Sequence, residues 1–223
     1  MKIAICFFGY PRFYDLWKDN FENFYDGCDV DFYAHFWEDP DLDKDELLSE
    51  FNFKEVIIEK QKEDFCDIPE QTDLSKITKS VFQTISPLYS LKKVGEIIKK
   101  FDDEYDFVIV TRTDAGCICD ESIKEYEMDK DELYFSYVKG NEWLNTHLDA
   151  NWFCASADKI LKICEIYDNL TNYLQSDKIP LCHHRLFFHS LREYREKMNM
   201  VCVNPSASNG GWVFLRNKTT SEI

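Results

Sequence analysis

Tyr105-Asp-Phe-Val-Ile-Val-Thr-Arg-Thr-Asp114-Ala-Gly116 is a short apolar run that stops abruptly at an arginine, a carboxylate and a glycine. Val108, Ile109 and Val110 are β-branched and bounded by polar residues, which predicts a buried strand rather than a helix. The charges then fall at the strand's C-terminal end. In an open α/β sheet, ligands bind in the crevice beyond those ends, so Arg112 and Asp114 stand where a phosphate and a divalent cation can be held. The plainer alternative is a surface ion pair at a strand end.

Upstream, Ile3 to Phe8 is a compact apolar run closed by Gly9-Tyr-Pro11, predicting a first buried strand that ends in a turn. Tyr14, Trp17, Phe21, Phe24 and Tyr25 recur at steps of three and four, the pattern of an amphipathic helix. Asp29 to Trp37 and Phe53 to Glu59 predict the second and third strands, with a short helix over Asp45 to Phe51 between them. Residues 62–76 are polar and acidic, contain Pro69 and show no period, so they are expected to form a loop. From Ile77 to Phe101 the pattern is helical, with Val81, Ile85, Leu88, Leu91, Val94, Ile97 and Ile98 on one side. Pro87 interrupts it, predicting a kink, or a second helix starting near Ser86 with Pro87 in its first turn.

Downstream, Glu132 to Val138 and Asn151 to Ala155 read as strands, Asp158 to Leu174 and His184 to Met198 as helices. Val201-Cys-Val203 is strand-like, and Gly210-Gly211 is a candidate hairpin turn. Strands alternating with helices build βαβ units and a largely parallel sheet. No repeat, low-complexity tract or linker divides the chain. Residues 1–223 are therefore expected to form one α/β domain, with a mostly parallel, Rossmann-like central sheet flanked by helices.

The 223 residues are 44% hydrophobic and 16% aromatic, enough for a sizeable core. Forty-two acidic against 26 basic residues leave a net charge of −16, which repels phosphate backbones and speaks against nucleic acid as a partner. An anionic ligand must be met by a few local cations. No run of about 18 uncharged apolar residues occurs and no apolar h-region follows Lys2 and Ile3, so a soluble, unsecreted, cytoplasmic protein without a transmembrane segment is expected. The nine cysteines are scattered, as Cys6, Cys154 and Cys164 illustrate, and are expected to be reduced and mostly buried. Cys117-Ile-Cys119 and Cys182-His-His184 do not have the spacing of a structural zinc site.

The common catalytic signatures are missing. Without G-x-x-x-x-G-K-[ST] or G-x-G-x-x-G, a P-loop NTPase or dinucleotide oxidoreductase is disfavoured. Without G-x-S-x-G, an α/β-hydrolase has no nucleophile. What remains is a doubly wound sheet with a cation and a carboxylate at one strand tip.

Ile5-Cys-Phe-Phe-Gly9-Tyr-Pro-Arg12, Asp31-Phe-Tyr-Ala-His35-Phe-Trp37, Ser86-Pro-Leu-Tyr89-Ser-Leu-Lys92-Lys and the strand ending in Arg112-Thr-Asp114 together resemble small GT-A-fold glycosyltransferases. Such enzymes occur in bacterial surface-polysaccharide pathways and in large DNA viruses. The resemblance covers about the first two-thirds of the chain and continues weakly through Leu148-Asp149-Ala-Asn-Trp152-Phe. It implies a GT-A-like fold and a nucleoside-diphosphate sugar donor lying across the strand tips. The acceptor would be a glycan or another hydroxyl, and the enzyme a hexosyl- or deoxyhexosyl-transferase.

On that resemblance Arg112-Thr-Asp114 stands where other GT-A enzymes carry Asp-x-Asp, and Asp114 would ligate Mn²⁺ or Mg²⁺ on the donor's diphosphate. Oxygen ligands suit hard cations, and a metal there neutralises charge on the departing diphosphate. Arg112 in place of the first aspartate departs from that pattern and leaves metal dependence open, because a guanidinium can stabilise a diphosphate by itself. Gly9 and Arg12 follow the first strand, where glycine lets backbone approach the nucleotide and arginine reaches a phosphate or ribose. A tight turn with a solvated side chain accounts for them equally well. His35 and Trp37 would meet the base or ribose, or else pack in the core.

Tyr89 and Lys92, three apart on one helix face, can present a ring and an ammonium to the nucleotide, although Lys92 reads as well as an exposed helix cation. Asp149 is the candidate base for an inverting reaction, or a turn residue. His183 and His184 stand where relatives often show a Pro-Glu pair, so nothing is carried over there. Two literal Asp-x-Asp matches are weaker metal candidates. Asp41-Leu-Asp43 lies in an acidic stretch better explained as capping the helix that follows, and Asp29-Val-Asp31 begins a strand rather than ending one. The rival functions are a sugar-nucleotide pyrophosphorylase, for which Gly9-Tyr-Pro-Arg12 is too sparse a loop, and a non-catalytic glycan-binding module using its many aromatic rings.

Overall fold

The computed structural model describes residues 1–12, 14, 24–65, 68, 72, 80–113, 122–138, 152–204 and 211–213. The strands in it are β1 (Lys2–Gly9), β2 (Asp29–Trp37), β3 (Glu55–Glu59), β4 (Phe107–Thr111), β5 (Leu133–Val138), β6 (Trp152–Ala155), β7 (Met198–Asn204) and β8 (Gly211–Val213). They form one eight-stranded sheet in the order β3-β2-β1-β4-β6-β5-β7-β8. β1 pairs in parallel with β2 and β4, β2 with β3, and β5 with β7. β6 and β8 run against their neighbours. The sheet is thus mostly parallel.

The helices are α1 (Lys44–Phe51), α2 (Val81–Ile98), α3 (Ala157–Cys164), α4 (Leu170–Gln175) and α5 (His183–Ser190). The sheet separates two apolar layers, and the two-residue period of the strands divides the core between them. Ala4, Cys6 and Phe8 of β1 join Val108 and Val110 of β4 in a layer with Leu88, Leu91 and Val94 of α2 and Ile160 and Ile163 of α3. Ile3, Ile5 and Phe7 face the other way with Phe107, Ile109 and Phe24, and with Leu47 and Phe51 of α1. Both faces of β1 and β4 are covered, which is why these strands read as unbroken apolar runs.

Local chemistry accounts for the helix ends. Asp43 caps α1, its side chain accepting from the backbone N–H groups of Asp45 and Glu46 at 3.0 and 3.1 Å, and Asn52 closes that helix in the left-handed conformation. Ser80 and Gln83 form a reciprocal capping box at the start of α2. Instead of breaking in two, α2 then runs through Pro87, with buried Ile85, Leu88 and Leu91 on either side of it. Packing of that face offsets the hydrogen bond that the proline ring removes. Gly95 lets α2 cross α3 closely, since a Cβ there would lie 2.6 Å from that of Cys164.

The helix expected over Asp158 to Leu174 is instead two, α3 and α4. Between them the Glu165 carbonyl accepts twice from Asn169, from its N–H at 3.1 Å and from its side-chain amide at 2.9 Å. The turn sends the Tyr167 hydroxyl to the Phe65 carbonyl, 2.5 Å away and 102 residues distant in sequence. Likewise the helix expected to reach Met198 ends at Ser190, and after a 3-10 segment over Arg192–Lys197 Met198 opens β7. Asn204 pairs with Gly211 across a hairpin, so Gly211 lies in β8 rather than in the turn. Most of the amphipathic helix expected after β1, most of the 62–76 loop, and Gly210 lie outside the described residues.

Candidate functional site

Gly9 pairs with Phe36, Trp37 with Glu59, and Phe7 with Thr111, so β1, β2, β3 and β4 all end on one side of the sheet. Gly9 has φ +97°, a conformation that disfavours any side chain, and a Cβ there would meet no described atom within 4 Å. Backbone geometry, not crowding, requires glycine at this turn. Beyond it Pro11 is buried and Arg12 exposed, with the Arg12 guanidinium carbon 5.0 Å from the Tyr10 ring centre.

The Tyr10 carbonyl ties the β1 turn to the β4 turn. It accepts from the Arg12 N–H at 2.9 Å and from the Thr113 hydroxyl at 3.1 Å. Arg112 is half-buried between Thr111 and Thr113, both fully buried. Asp114 follows directly in sequence but lies outside the described residues, as does Asp149.

His35 is fully buried at the end of β2. Its Nδ1 lies 2.7 Å from the Ser90 hydroxyl of α2, and its Nε2 lies 3.2 Å from the Glu59 carboxylate of β3. Burial holds the imidazole's pKa below its ordinary value, against the opposing pull of Glu59. A neutral ring with the proton on Nε2 donates to Glu59 and accepts at Nδ1 from Ser90, which satisfies both contacts. With both nitrogens engaged, His35 sits beneath the strand tips as a brace.

Trp37 and Tyr89 are 1% and 6% exposed. Their rings stack at 5.6 Å with an 18° interplanar angle, and His35 meets Trp37 edge-on at 4.9 Å. Phe65 and Tyr167 pack edgewise or tilted on Tyr89, and the Lys62 ammonium lies 4.3 Å from the Tyr89 ring centre. The cluster is a packed wall under the strand tips, not an open stacking platform. Lys92 leaves Tyr89 to pair with Asp168 at 2.6 Å, beside the Tyr167 ring. The structure thus brings Gly9, Arg12 and Arg112 together along two joined turns, sets His35, Trp37 and Tyr89 beneath them, and directs Lys92 toward the α3–α4 connection.

No protein-family model matches the sequence, and no curated protein is significantly similar to it. Solved structures do match. The galactosyltransferase LgtC, solved in complex with donor and acceptor sugar analogues, shares 12% identity over 90% of this chain and 73% of its own, with a TM-score of 0.52. An active-site mutant of LgtC shares 12% identity over 90% of this chain and 72% of its own, with a TM-score of 0.53. The fold is GT-A-like. A protein from Desulfovibrio desulfuricans G20, provisionally named a nucleotide-diphospho-sugar transferase, covers 90% of this chain and 79% of its own at 11% identity; its TM-score of 0.45 is too low to argue from.

Within the GT-A-like sheet, the described strand-tip residues include the cations Arg12, Arg112 and Lys62, and two carboxylates already engaged, Glu59 with His35 and Glu38 with Lys44 at 2.7 Å. No group of three or more His, Cys, Asp or Glu suited to a metal occurs among the described residues. These described residues fit an anion better than they fit a hard cation. The two other Asp-x-Asp matches are engaged elsewhere. Asp43 caps α1, while Asp31, at the opposite end of the sheet, accepts from the Tyr105 hydroxyl at 2.7 Å and pairs with Lys54 at 2.7 Å.

Sequence reasoning passed over the residues that join the turns of the GT-A-like sheet. Besides Thr113, Gln61 accepts from the Tyr10 hydroxyl at 2.5 Å and donates to Ser86 of α2 at 2.6 Å. Ser86 and Ser90 lie one helical turn apart, both buried. Two polar residues at that spacing on the apolar face of α2 were the available signal, since a buried hydroxyl needs a partner.

Proposed function

We propose that residues 1–223 form one glycosyltransferase domain that transfers a hexose or deoxyhexose from a nucleoside-diphosphate sugar to a glycan or other hydroxyl acceptor. The GT-A-like sheet, with the cation-bearing β1 and β4 turns joined at the Tyr10 carbonyl, carries this proposal. The donor's diphosphate would lie across those turns, with Arg12 and Arg112 as its countercharges. Gly9 would let the backbone approach, and the Trp37–Tyr89 wall would shape the floor.

In the reaction, an acceptor oxygen forms a bond to the anomeric carbon as the bond from that carbon to the diphosphate oxygen breaks. The diphosphate leaves with the electron pair. Asp149 is proposed to take the acceptor's proton if the anomeric centre inverts. Asp114 is proposed to hold Mn²⁺ or Mg²⁺, which when bound would neutralise charge on the leaving group. Free thiols at Cys6, Cys154 and Cys164 suit a reducing compartment such as the cytoplasm. Among the described residues no helix is long and apolar enough to cross a membrane.

A thermal-shift screen against UDP-, GDP-, CMP- and dTDP-sugars, each with and without Mn²⁺ or Mg²⁺, tests the proposal. A ligand binding only the native state at 100 times its Kd adds about 2.7 kcal/mol of stability. One nucleotide-sugar class is expected to raise the melting temperature. Cooperative melting with no shift for any donor would overturn the proposal, and glycan binding without nucleotide would favour a binding module. In a folded Asp114→Asn variant the metal-dependent part of the shift should vanish; an unchanged metal response would remove Asp114 from the site.

A further inference from the structure

The Ser90 hydroxyl is wholly buried and contacts three groups. It accepts from the Gly9 N–H at 2.8 Å, lies 2.7 Å from His35 Nδ1, and lies 3.2 Å from the His35 carbonyl. A hydroxyl has one proton and two lone pairs. With the Gly9 N–H on one lone pair, its proton serves the nearer acceptor, Nδ1, when the imidazole is protonated on Nε2 toward Glu59. The resulting chain runs Gly9, Ser90, His35, Glu59, and crosses from the β1 turn through α2 and β2 to the tip of edge strand β3. One helical turn earlier, Ser86 anchors a second chain through Gln61 to the Tyr10 hydroxyl. Gly9 and Tyr10, the two residues of the turn proposed to receive the donor, are each held by a serine of α2.

Serine within a helix ordinarily bonds back to its own helix or faces solvent. Here Ser90 does neither. It terminates a backbone N–H at a glycine whose φ of +97° only a residue without a Cβ holds readily, and where an added Cβ would meet no described atom within 4 Å. The Tyr10 carbonyl, next in the chain, meets Thr113, the neighbour of Asp114.

We infer that Ser90 is a positioning residue for the donor: by holding the Gly9 N–H it sets the β1 turn against the β4 turn, so that the diphosphate meets a preformed surface. The inference rests on the proposed glycosyltransferase reading. Preorganisation of this kind acts on binding by removing an ordering cost, not by contact with the ligand. Loss of the hydroxyl should therefore raise the donor's Kd and KM more than it lowers kcat.

The test uses the full chain labelled with ¹⁵N, as wild type, Ser90→Ala and Glu59→Gln. Without ligand, exchange of the Gly9 amide should accelerate at least about tenfold in Ser90→Ala while the amides of Ile5 and Ile109 stay protected. In Glu59→Gln, which keeps an acceptor for His35, Gly9 should remain near the wild-type rate. With the donor class found by thermal shift, Ser90→Ala should bind about tenfold more weakly. An unchanged Gly9 exchange rate would overturn the inference, as would a faster rate with unchanged donor affinity. Global loss of protection would show misfolding of Ser90→Ala; Ser90→Cys, close in volume and a poorer hydrogen-bonding partner, then replaces it under the same criteria. Failure of wild type to bind any donor would defeat the glycosyltransferase reading itself, and is distinguished because the Gly9 amide reports without ligand.

Discussion

Trp37 and Tyr89 stack at 5.6 Å and 18° between the tip of β2 and the middle of α2, 52 residues apart in sequence. The pair fills the layer beneath the β1–β4 turns, and Phe65 closes its edge at 5.9 Å from Trp37.

Removing the larger ring should be costly. Trp37→Ala is expected to destabilise the fold by about 3–5 kcal/mol, the range for truncating a buried large aromatic, and Trp37→Phe by markedly less. Urea denaturation at constant m-value measures both. A loss near zero for Trp37→Ala would mean that the ring is not packed as described.

His35 should make stability pH-dependent in a defined direction. Burial lowers its pKa in the folded state below the ordinary 6.5, so between the two values the unfolded chain binds more protons than the folded one. The contribution is complete above pH 6.5 and is lost as pH falls through that value toward the folded pKa. The urea midpoint should therefore drop between about pH 7 and pH 5, with a shallower slope in His35→Gln. Equal slopes in the two proteins would contradict the buried, neutral imidazole.

The core thiols should be chemically silent. Burial pushes the pKa values of Cys6, Cys154 and Cys164 well up, with the neighbouring Cys164 adding to the shift at Cys6. At pH 8, iodoacetamide should leave these three unmodified in the native protein and label them in urea, as peptide mass spectrometry resolves. Rapid native labelling of Cys154 would show that β6 is not enclosed by β4 and β5.

The amino-acid sequence alone determined the features that depend on near neighbours. The bounds of β2, the capped start of α1 at Asp43, and the buried run of β4 follow from periodicity, propensity and capping, each acting over a few residues. The α/β class followed because strand-like runs such as Ile3–Phe8 alternate with helical patterns, as βαβ units require.

Tertiary structure decided what distant partners impose. The break between α3 and α4 accompanies the Tyr167 hydroxyl's reach to the Phe65 carbonyl, and continuity through Pro87 follows from packing on both sides of it. The same holds for the site. Lys92 reads locally as a free helix cation, yet its charge is taken by Asp168, 76 residues on. Ser90 reads as an ordinary helical serine, yet it holds Gly9 across 81 residues and His35 across 55. Pattern and propensity report what a residue does within its own element. Partners for buried polar groups are chosen only when the sheet and α2 come together, because only then is each group cut off from water and obliged to find one.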